Sequence, residues 1–203
     1  MTFRKLYQAN SVSRLPKKLA GRISLTGTTG SGKNYFLQHF IKSNNLSKIL
    51  FIGRIYDYNN YLTDGLEFKK YNINSNIALM DKLIFIESSF HDMINFSVEI
   101  VNKFTTIVKQ ALQKGYIVIF DDIYGDEDKY HKLVDDIILN STENDNFISI
   151  RNSLEEHKHI IEYFESYIVM KDNRYESTRM LQKDFHIESF AIGDYIYFKK
   201  SYL

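Results

Sequence analysis

The chain has 203 residues, no cysteine, no tryptophan and one proline, and its 26 Lys plus Arg residues nearly balance 25 Asp plus Glu residues, for a formal charge of +1. The lack of cysteine excludes thiolate-based zinc and iron–sulfur sites, Cys nucleophiles and redox switches. The near-neutral charge argues against coating nucleic acid by bulk positive charge, and 44% hydrophobic content argues against disorder. Charged residues interrupt each apolar run well before the ~20 residues of a membrane span, so we expect a soluble, intracellular α/β domain.

The predicted elements begin after a basic lead-in arm, residues 1–20, in which Pro16 favours extended backbone. After the arm, a single domain is expected over 21–203, with a terminal hairpin or paired strands at 187–202. Apolar, β-branched runs alternate with segments of helical periodicity, which indicates a mostly parallel sheet with helices on both faces. Strands are predicted at 22–26, 48–52, 83–87, 116–120, 147–150 and 167–170, helices from a glycine-rich turn to residue 41 and at 96–114, 129–139 and 154–163, and a loop at 54–82.

The glycine-rich turn has the pattern G-x-x-x-x-G-K between a predicted strand and a predicted helix. Glycines allow successive backbone N–H groups to face phosphate oxygens, and the helix adds the positive end of its dipole. Lys33 supplies a mobile charge for the β- and γ-phosphates. The sequence therefore predicts a phosphate-binding loop formed by Gly27, Thr28, Thr29, Gly30, Ser31, Gly32, Lys33 and Asn34.

Asn34 departs from the usual pattern, because the residue after the loop lysine is normally a Ser or Thr whose hydroxyl ligates Mg²⁺. An amide oxygen also coordinates hard cations, with a different reach and geometry. Two interpretations stay open: a tolerated variant with altered metal affinity, or a nucleotide-binding protein that has lost turnover. The first is favoured because an acidic partner motif is intact.

That acidic motif ends the strand Tyr116-Ile-Val-Ile-Phe-Asp121-Asp122, and ligands of open α/β sheets sit at the carboxyl ends of strands. Asp121 is predicted to hold Mg²⁺, and Asp122 to polarise the water that attacks the γ-phosphate. The next strand ends at Asn152, whose amide would sense the γ-phosphate if that strand lies between the two motif strands. The alternative is an ordinary turn in which Ser153 caps the following helix.

These elements in this order resemble the viral DNA-packaging ATPases of the poxvirus type, within the FtsK–HerA group of P-loop motors. The similarity covers roughly residues 15–172 and rests on the segments LPKKLAGRISLTGTTGSGKN, LIFIESS, YIVIFDDIYGD, FISIRNS and YIVMK. It implies an additional-strand P-loop NTPase fold, ATP and Mg²⁺ as cofactors, and ATP hydrolysis coupled to the packaging of double-stranded DNA into a capsid. It also implies a homo-oligomeric ring, capsid vertex proteins as partners, and a location in the host cytoplasm, a virus factory or the virion.

Two departures from that family's pattern leave other functions open. Asn34 is the first, and the second is the lack of an arginine in residues 140–146, where such motors carry one that reaches a neighbouring subunit's nucleotide. Candidates to replace that arginine are Arg151, Arg174 and Arg179. The alternative functions are a small-molecule kinase acting on nucleosides or nucleotides, and a nucleotide-binding virion-assembly protein without turnover. Residues 54–66 are a candidate DNA-contacting loop.

Overall fold

The computed structural model describes residues 3–9, 21–53, 65–87, 97–121, 127–170 and 195–200. Its contacts divide the chain into two units, residues 1–45 with 149–203 and residues 46–148, so the boundary lies inside one strand. The expected single domain stays a prediction. In these described ranges no helix is both long and apolar enough to span a membrane.

The described elements alternate between strands and helices over most of the chain, as the sequence predicts. In chain order they are β1 (Phe3–Ala9), β2 (Arg22–Thr26), α1 (Lys33–Ser43), β3 (Ile49–Gly53), β4 (Lys69–Asn72), β5 (Leu83–Glu87), α2 (Val98–Gln113), β6 (Ile117–Phe120), α3 (Glu127–Leu139), β7 (Phe147–Arg151), a 3₁₀ helix (Glu155–Tyr163), β8 (Ser166–Met170) and β9 (Tyr195–Lys200). Two strands differ from the prediction: β1 lies in the predicted arm, and β4 lies in the predicted loop. The segment predicted as a helix over 154–163 has 3₁₀ geometry.

In the first unit the strand order is β1-β9-β8-β2-β7. The pair β2–β8 is parallel, with Leu25 opposite Ile168, whereas β9 runs antiparallel to both β8 and β1. Residues 195–200 of the tail are therefore paired strand, as expected, and the rest of the predicted hairpin lies outside the described residues. Strand β1 pairs with β9 from Phe3 to Ala9.

Helices cover both faces of this part of the sheet. The ring of Phe36 in α1 packs edge-on against Tyr195, with centroids 5.3 Å apart. Through the strand register Tyr195 shares the face of Leu25, whereas Ser24 lies on the opposite face because side chains alternate along a strand. Ser24 contacts His157 of the 3₁₀ helix. The prediction of helices on both faces is therefore confirmed in the first unit.

In the second unit the strands lie in the order β6-β3-β5-β4, and all their pairings are parallel. All five residues of β3 are buried, as is typical of a parallel strand that is covered on both faces. Helix α2 packs against β6 through an apolar stripe of three-and-four spacing that includes Phe104, Val108 and Ala111. The hydroxyl of Ser97 caps its amino end by accepting the N–H of Ile100 at 3.3 Å.

Strand β7 has neighbours that fit the additional-strand prediction. In the first unit the N–H of Gly27, directly after β2, donates to the carbonyl of Arg151 at 3.2 Å. In the second unit the N–H of Val118 in β6 donates to the carbonyl of Asn146, directly before β7, at 3.0 Å. The α/β fold with mostly parallel strands is therefore confirmed.

Candidate nucleotide-binding site

The loop between β2 and α1 is built on three glycines with positive φ: Gly27 at 157°, Gly30 at 80° and Gly32 at 100°. A Cβ on Gly27 would lie 2.6 Å from the Ser31 Oγ and 2.9 Å from the Met170 Cβ, whereas a Cβ on Gly30 would meet nothing within 4 Å. The first glycine is thus required by close packing beneath the loop. The second needs only the conformational freedom of glycine, and it faces open space.

The amino end of α1 is suited to an anion. Its N-cap residue is Gly32, which has no side chain to bond the first-turn N–H groups, and the first turn carries no acidic residue. Backbone N–H groups and the positive end of the helix dipole both favour negative charge at this position. The predicted phosphate-binding loop therefore has the local geometry that phosphate binding requires.

Lys33 is folded back over this loop. Its Nζ donates to the carbonyl of Gly27, and at 3.2 Å to the carbonyl of Thr28. The same Nζ lies 3.5 Å from the Asn152 Oδ1, at the outer limit of a hydrogen bond. The structure therefore brings Asn152, from the end of β7, next to the loop lysine.

Two buried hydroxyls lie at the loop without a hydrogen-bond partner in the described part of the chain: Thr26 Oγ1 and Ser31 Oγ. The two residues are 1% and 2% exposed. A buried hydroxyl left unpaired costs about 1–3 kcal/mol, so such atoms mark positions where a water or ligand completes the bonding. The sequence predicts Ser31 as part of the phosphate-binding loop but does not single out Thr26. A polar residue at the last position of a buried strand, as Thr26 is in β2, indicates such a position.

The structure argues against two roles suggested by the sequence: helix capping by Ser153, and contact of Arg151 with a neighbouring subunit's nucleotide. The N-cap position of the 3₁₀ helix is Leu154, and the Ser153 hydroxyl donates to the Glu156 carboxylate at 3.3 Å, so the capping interpretation of Ser153 is wrong. The Arg151 residue is 2% exposed. Such burial argues against its reaching a neighbouring subunit's nucleotide. Arg174 and Arg179 lie outside the described residues.

A buried histidine ties together the two strands that lead into the site. His157 is wholly buried, with Nδ1 2.8 Å from the Ser24 Oγ of β2 and Nε2 3.0 Å from the Ser149 Oγ of β7. A neutral imidazole has one donor and one acceptor, so each hydroxyl completes one ring nitrogen. Among the described residues, no group of three or more His, Asp or Glu side chains is placed to hold a metal. His157 therefore fixes β2 against β7.

In the second unit, Asp121 follows β6 and is 3% exposed. The N–H of Asp121 donates to the carbonyl of Ile52 at 2.9 Å. A Cβ on Gly53 would lie 3.3 Å from the Asp121 Cβ. Asp121 therefore lies against the end of β3, and its carboxyl group stands at the carboxyl end of the buried parallel strand β6. Asn34 is half-buried in the first turn of α1. Their assignment to Mg²⁺ stays a prediction. Asp122 and residues 54–64 lie outside the described residues.

A buried strand, a loop with three positive-φ glycines and a helix that starts at the loop lysine make up the phosphate-binding unit of P-loop proteins. With mostly parallel strands in both units, the chain has an α/β P-loop NTPase fold. The donors at the loop, a cationic Lys33 and backbone N–H groups, fit the phosphates of a nucleotide.

No protein-family model matches this chain, and no curated protein does. Among solved structures it is similar to the assembled ATPase EscN of the enteropathogenic E. coli type III secretion system, at 12% identity over 86% of this chain and 47% of that one, with a TM-score of 0.49. It is also similar to a KaiC-like protein of Pyrococcus horikoshii OT3, at 14% identity over 76% and 75% of the two chains, with a TM-score of 0.41. The chain thus spans about half the length of EscN. Likeness at these TM-scores says nothing of its substrate or partners.

Proposed function

We propose that this chain is an ATP-hydrolysing motor that packages viral double-stranded DNA into a capsid. In this proposal the loop N–H groups and Lys33 bind the phosphates, Asp121 and Asn34 hold Mg²⁺, Asp122 orients and deprotonates the attacking water, and Asn152 senses the γ-phosphate. Bound Mg²⁺ would neutralise phosphate charge.

The contact between Lys33 and Asn152 carries the nucleotide part of this proposal. Three acceptors surround the Lys33 ammonium: the carbonyls of Gly27 and Thr28 and the amide oxygen of Asn152. A triphosphate at the amino end of α1 would exchange the carbonyl partners of Lys33 for phosphate oxygens, which form stronger, charge-assisted hydrogen bonds. Asn152, already within reach of Lys33, would then meet the terminal phosphate. Its amide distinguishes a phosphate from the space left after hydrolysis.

The hydrolysis test compares three variants that alter one lysine or amide each. Lys33→Ala is expected to lower ATP turnover by about 100-fold or more, because it removes a cation aimed at developing charge. Lys42→Ala, in the last turn of the same helix and exposed, is the matched control and should retain activity. Asn152→Ala is expected to reduce turnover more than ATP affinity. Wild-type turnover no higher than that of Lys33→Ala, with DNA and capsid vertex proteins present, would refute the motor.

The DNA-packaging part of the proposal is supported by the resemblance of the motif order to viral packaging ATPases. It predicts a homo-oligomeric ring with an ATP analogue and duplex DNA present, and stimulation of turnover by duplex DNA, which light scattering and a phosphate-release assay measure. Action in the host cytoplasm or a virus factory belongs to the same proposal. A monomer with DNA-independent turnover that phosphorylates a nucleoside would instead indicate the kinase.

Asn34 favours one further candidate, a nucleotide-binding assembly protein without turnover. The side chain stands at the position of the usual Mg²⁺-ligating hydroxyl. Replacing Asn34 by Thr separates the two functions. If the wild type binds ATP tightly without hydrolysis and Asn34→Thr restores turnover, the chain is the assembly protein. If wild type and Asn34→Thr both turn over, the amide is a tolerated ligand and the motor stands.

A further inference from the structure

Tyr35 is an exposed aromatic residue beside the phosphate-binding loop. Among residues 21–45 and 149–170 of the first unit it is the only large hydrophobic residue that is exposed, at 59%. It lies two residues after Lys33, in the first turn of α1. Its ring packs against the exposed His39 one turn later, with centroids 4.6 Å apart and an angle of 60° between the planes. An aromatic surface of two rings therefore stands on the solvent side of the helix that begins at the loop.

Helix geometry directs these rings towards the loop. Side chains of an α-helix lean towards its amino end, so a residue covers the surface over the turn that precedes its own Cα. For Tyr35 that preceding turn is the loop itself. His39 lies behind Tyr35 on the side away from the loop and supports its ring. The opposite side of α1 is buried through Phe36, Leu37 and Phe40, so the pair is held by a fixed helix.

We propose that Tyr35 and His39 form a stacking subsite for the base of the bound nucleotide. This rests on the proposed nucleotide site and adds to it a contact for the nucleobase. Phosphates held by the loop leave the nucleoside at the mouth of the loop, where the Tyr35 ring stands. Stacking on an aromatic face is tolerant of base identity because every base presents a π surface. ATP and GTP should therefore bind with similar affinity.

The lack of tryptophan in the chain permits a direct test. Tyr35→Trp places the protein's single tryptophan at the subsite, where its emission can be excited separately from that of the tyrosines. Its emission is expected to be quenched by ATP and to stay unchanged with inorganic tripolyphosphate, which has the phosphates without the base. Met80→Trp, at a residue 89% exposed in the second unit, is the control and should respond to neither compound. Equal responses of the Tyr35→Trp protein to ATP and tripolyphosphate would overturn the subsite.

Affinities of unlabelled variants complete the test. Tyr35→Ala should weaken ATP binding about 5- to 150-fold while tripolyphosphate binding stays the same, and Tyr35→Phe should retain most of the affinity. Lys33→Ala should weaken the binding of both ATP and tripolyphosphate. If the wild type binds ATP and tripolyphosphate equally, and Tyr35→Ala changes neither, the subsite is refuted while the phosphate site stands. If the wild type binds neither compound, the proposed function fails and the subsite with it.

Discussion

Replacing Gly27 by alanine tests whether close packing beneath the loop requires the first glycine. The new Cβ would lie 2.6 Å from the Ser31 Oγ and 2.9 Å from the Met170 Cβ, well inside the ~3.5–4.0 Å at which carbon atoms make favourable contact. Such overpacking costs about 1–3 kcal/mol, and the positive φ costs alanine about 1–2 kcal/mol more. We expect Gly27→Ala to lower the free energy of unfolding by about 2–5 kcal/mol.

Gly30→Ala is the matched control, because it shares the loop and the positive φ, and its Cβ meets nothing within 4 Å. It should lose only the conformational part, about 1–2 kcal/mol. The difference of about 1–3 kcal/mol corresponds to roughly 0.3–1 M in the urea midpoint for an m-value near 3 kcal/mol/M. Urea unfolding followed by far-UV circular dichroism measures it. Equal midpoints for the two variants would show that Ser31 and Met170 yield without cost.

Two other predictions concern buried hydroxyls and a surface ion pair. His157→Phe should lower the free energy of unfolding by about 2–4 kcal/mol, because it leaves two buried hydroxyls unpaired. Adding Ser24→Ala and Ser149→Ala removes those hydroxyls and should recover part of the loss. A further loss of stability in the triple variant would contradict this. A hydrogen bond from Lys69 holds the pKa of Asp81 below its ordinary 3.8. Asp81→Asn should therefore be less stable than the wild type above pH 4, and this difference should vanish as the pH falls through the lowered pKa of Asp81. Urea titrations between pH 2 and 7 check it, and a difference that persists at pH 2 would refute the assignment.

The phosphate-binding loop could be predicted from the sequence because its determinants are local. Seven consecutive residues contain the glycines and Lys33, and the flanking strand and helix have their own periodicity. The approach of Asn152 to Lys33 was also predictable, because the carboxyl ends of neighbouring parallel strands meet at one edge. In both cases the prediction required only residue spacing and the parallel order of the strands.

Strands β1 and β4 could not be predicted because nothing in their own residues requires a strand. Phe3 of β1 pairs with Lys200 of β9, so the partner lies at the other end of the chain. Strand β4 is polar and ends the strand order of its unit, where exposed lysines are common. It is held by pairing with β5 and by the ion pair of Lys70 with Glu87 at 2.7 Å. Pairing across long sequence separations, rather than local pattern, decides both elements.

The role of His157 follows from two features of the sequence that disagree: the polar alternation of β2 and β7, and the prediction of a sheet covered by helices on both faces. Strands β2 and β7 both alternate apolar and polar residues, with Ser24 and Thr26 in one and Ser149 and Arg151 in the other. By itself such alternation indicates a strand with one face in water. A sheet with helices on both faces has no such face, so the polar side needs buried hydrogen-bond partners. The segment after β7 must therefore supply a side chain that can both donate and accept, and the imidazole of His157 does so for the two serines.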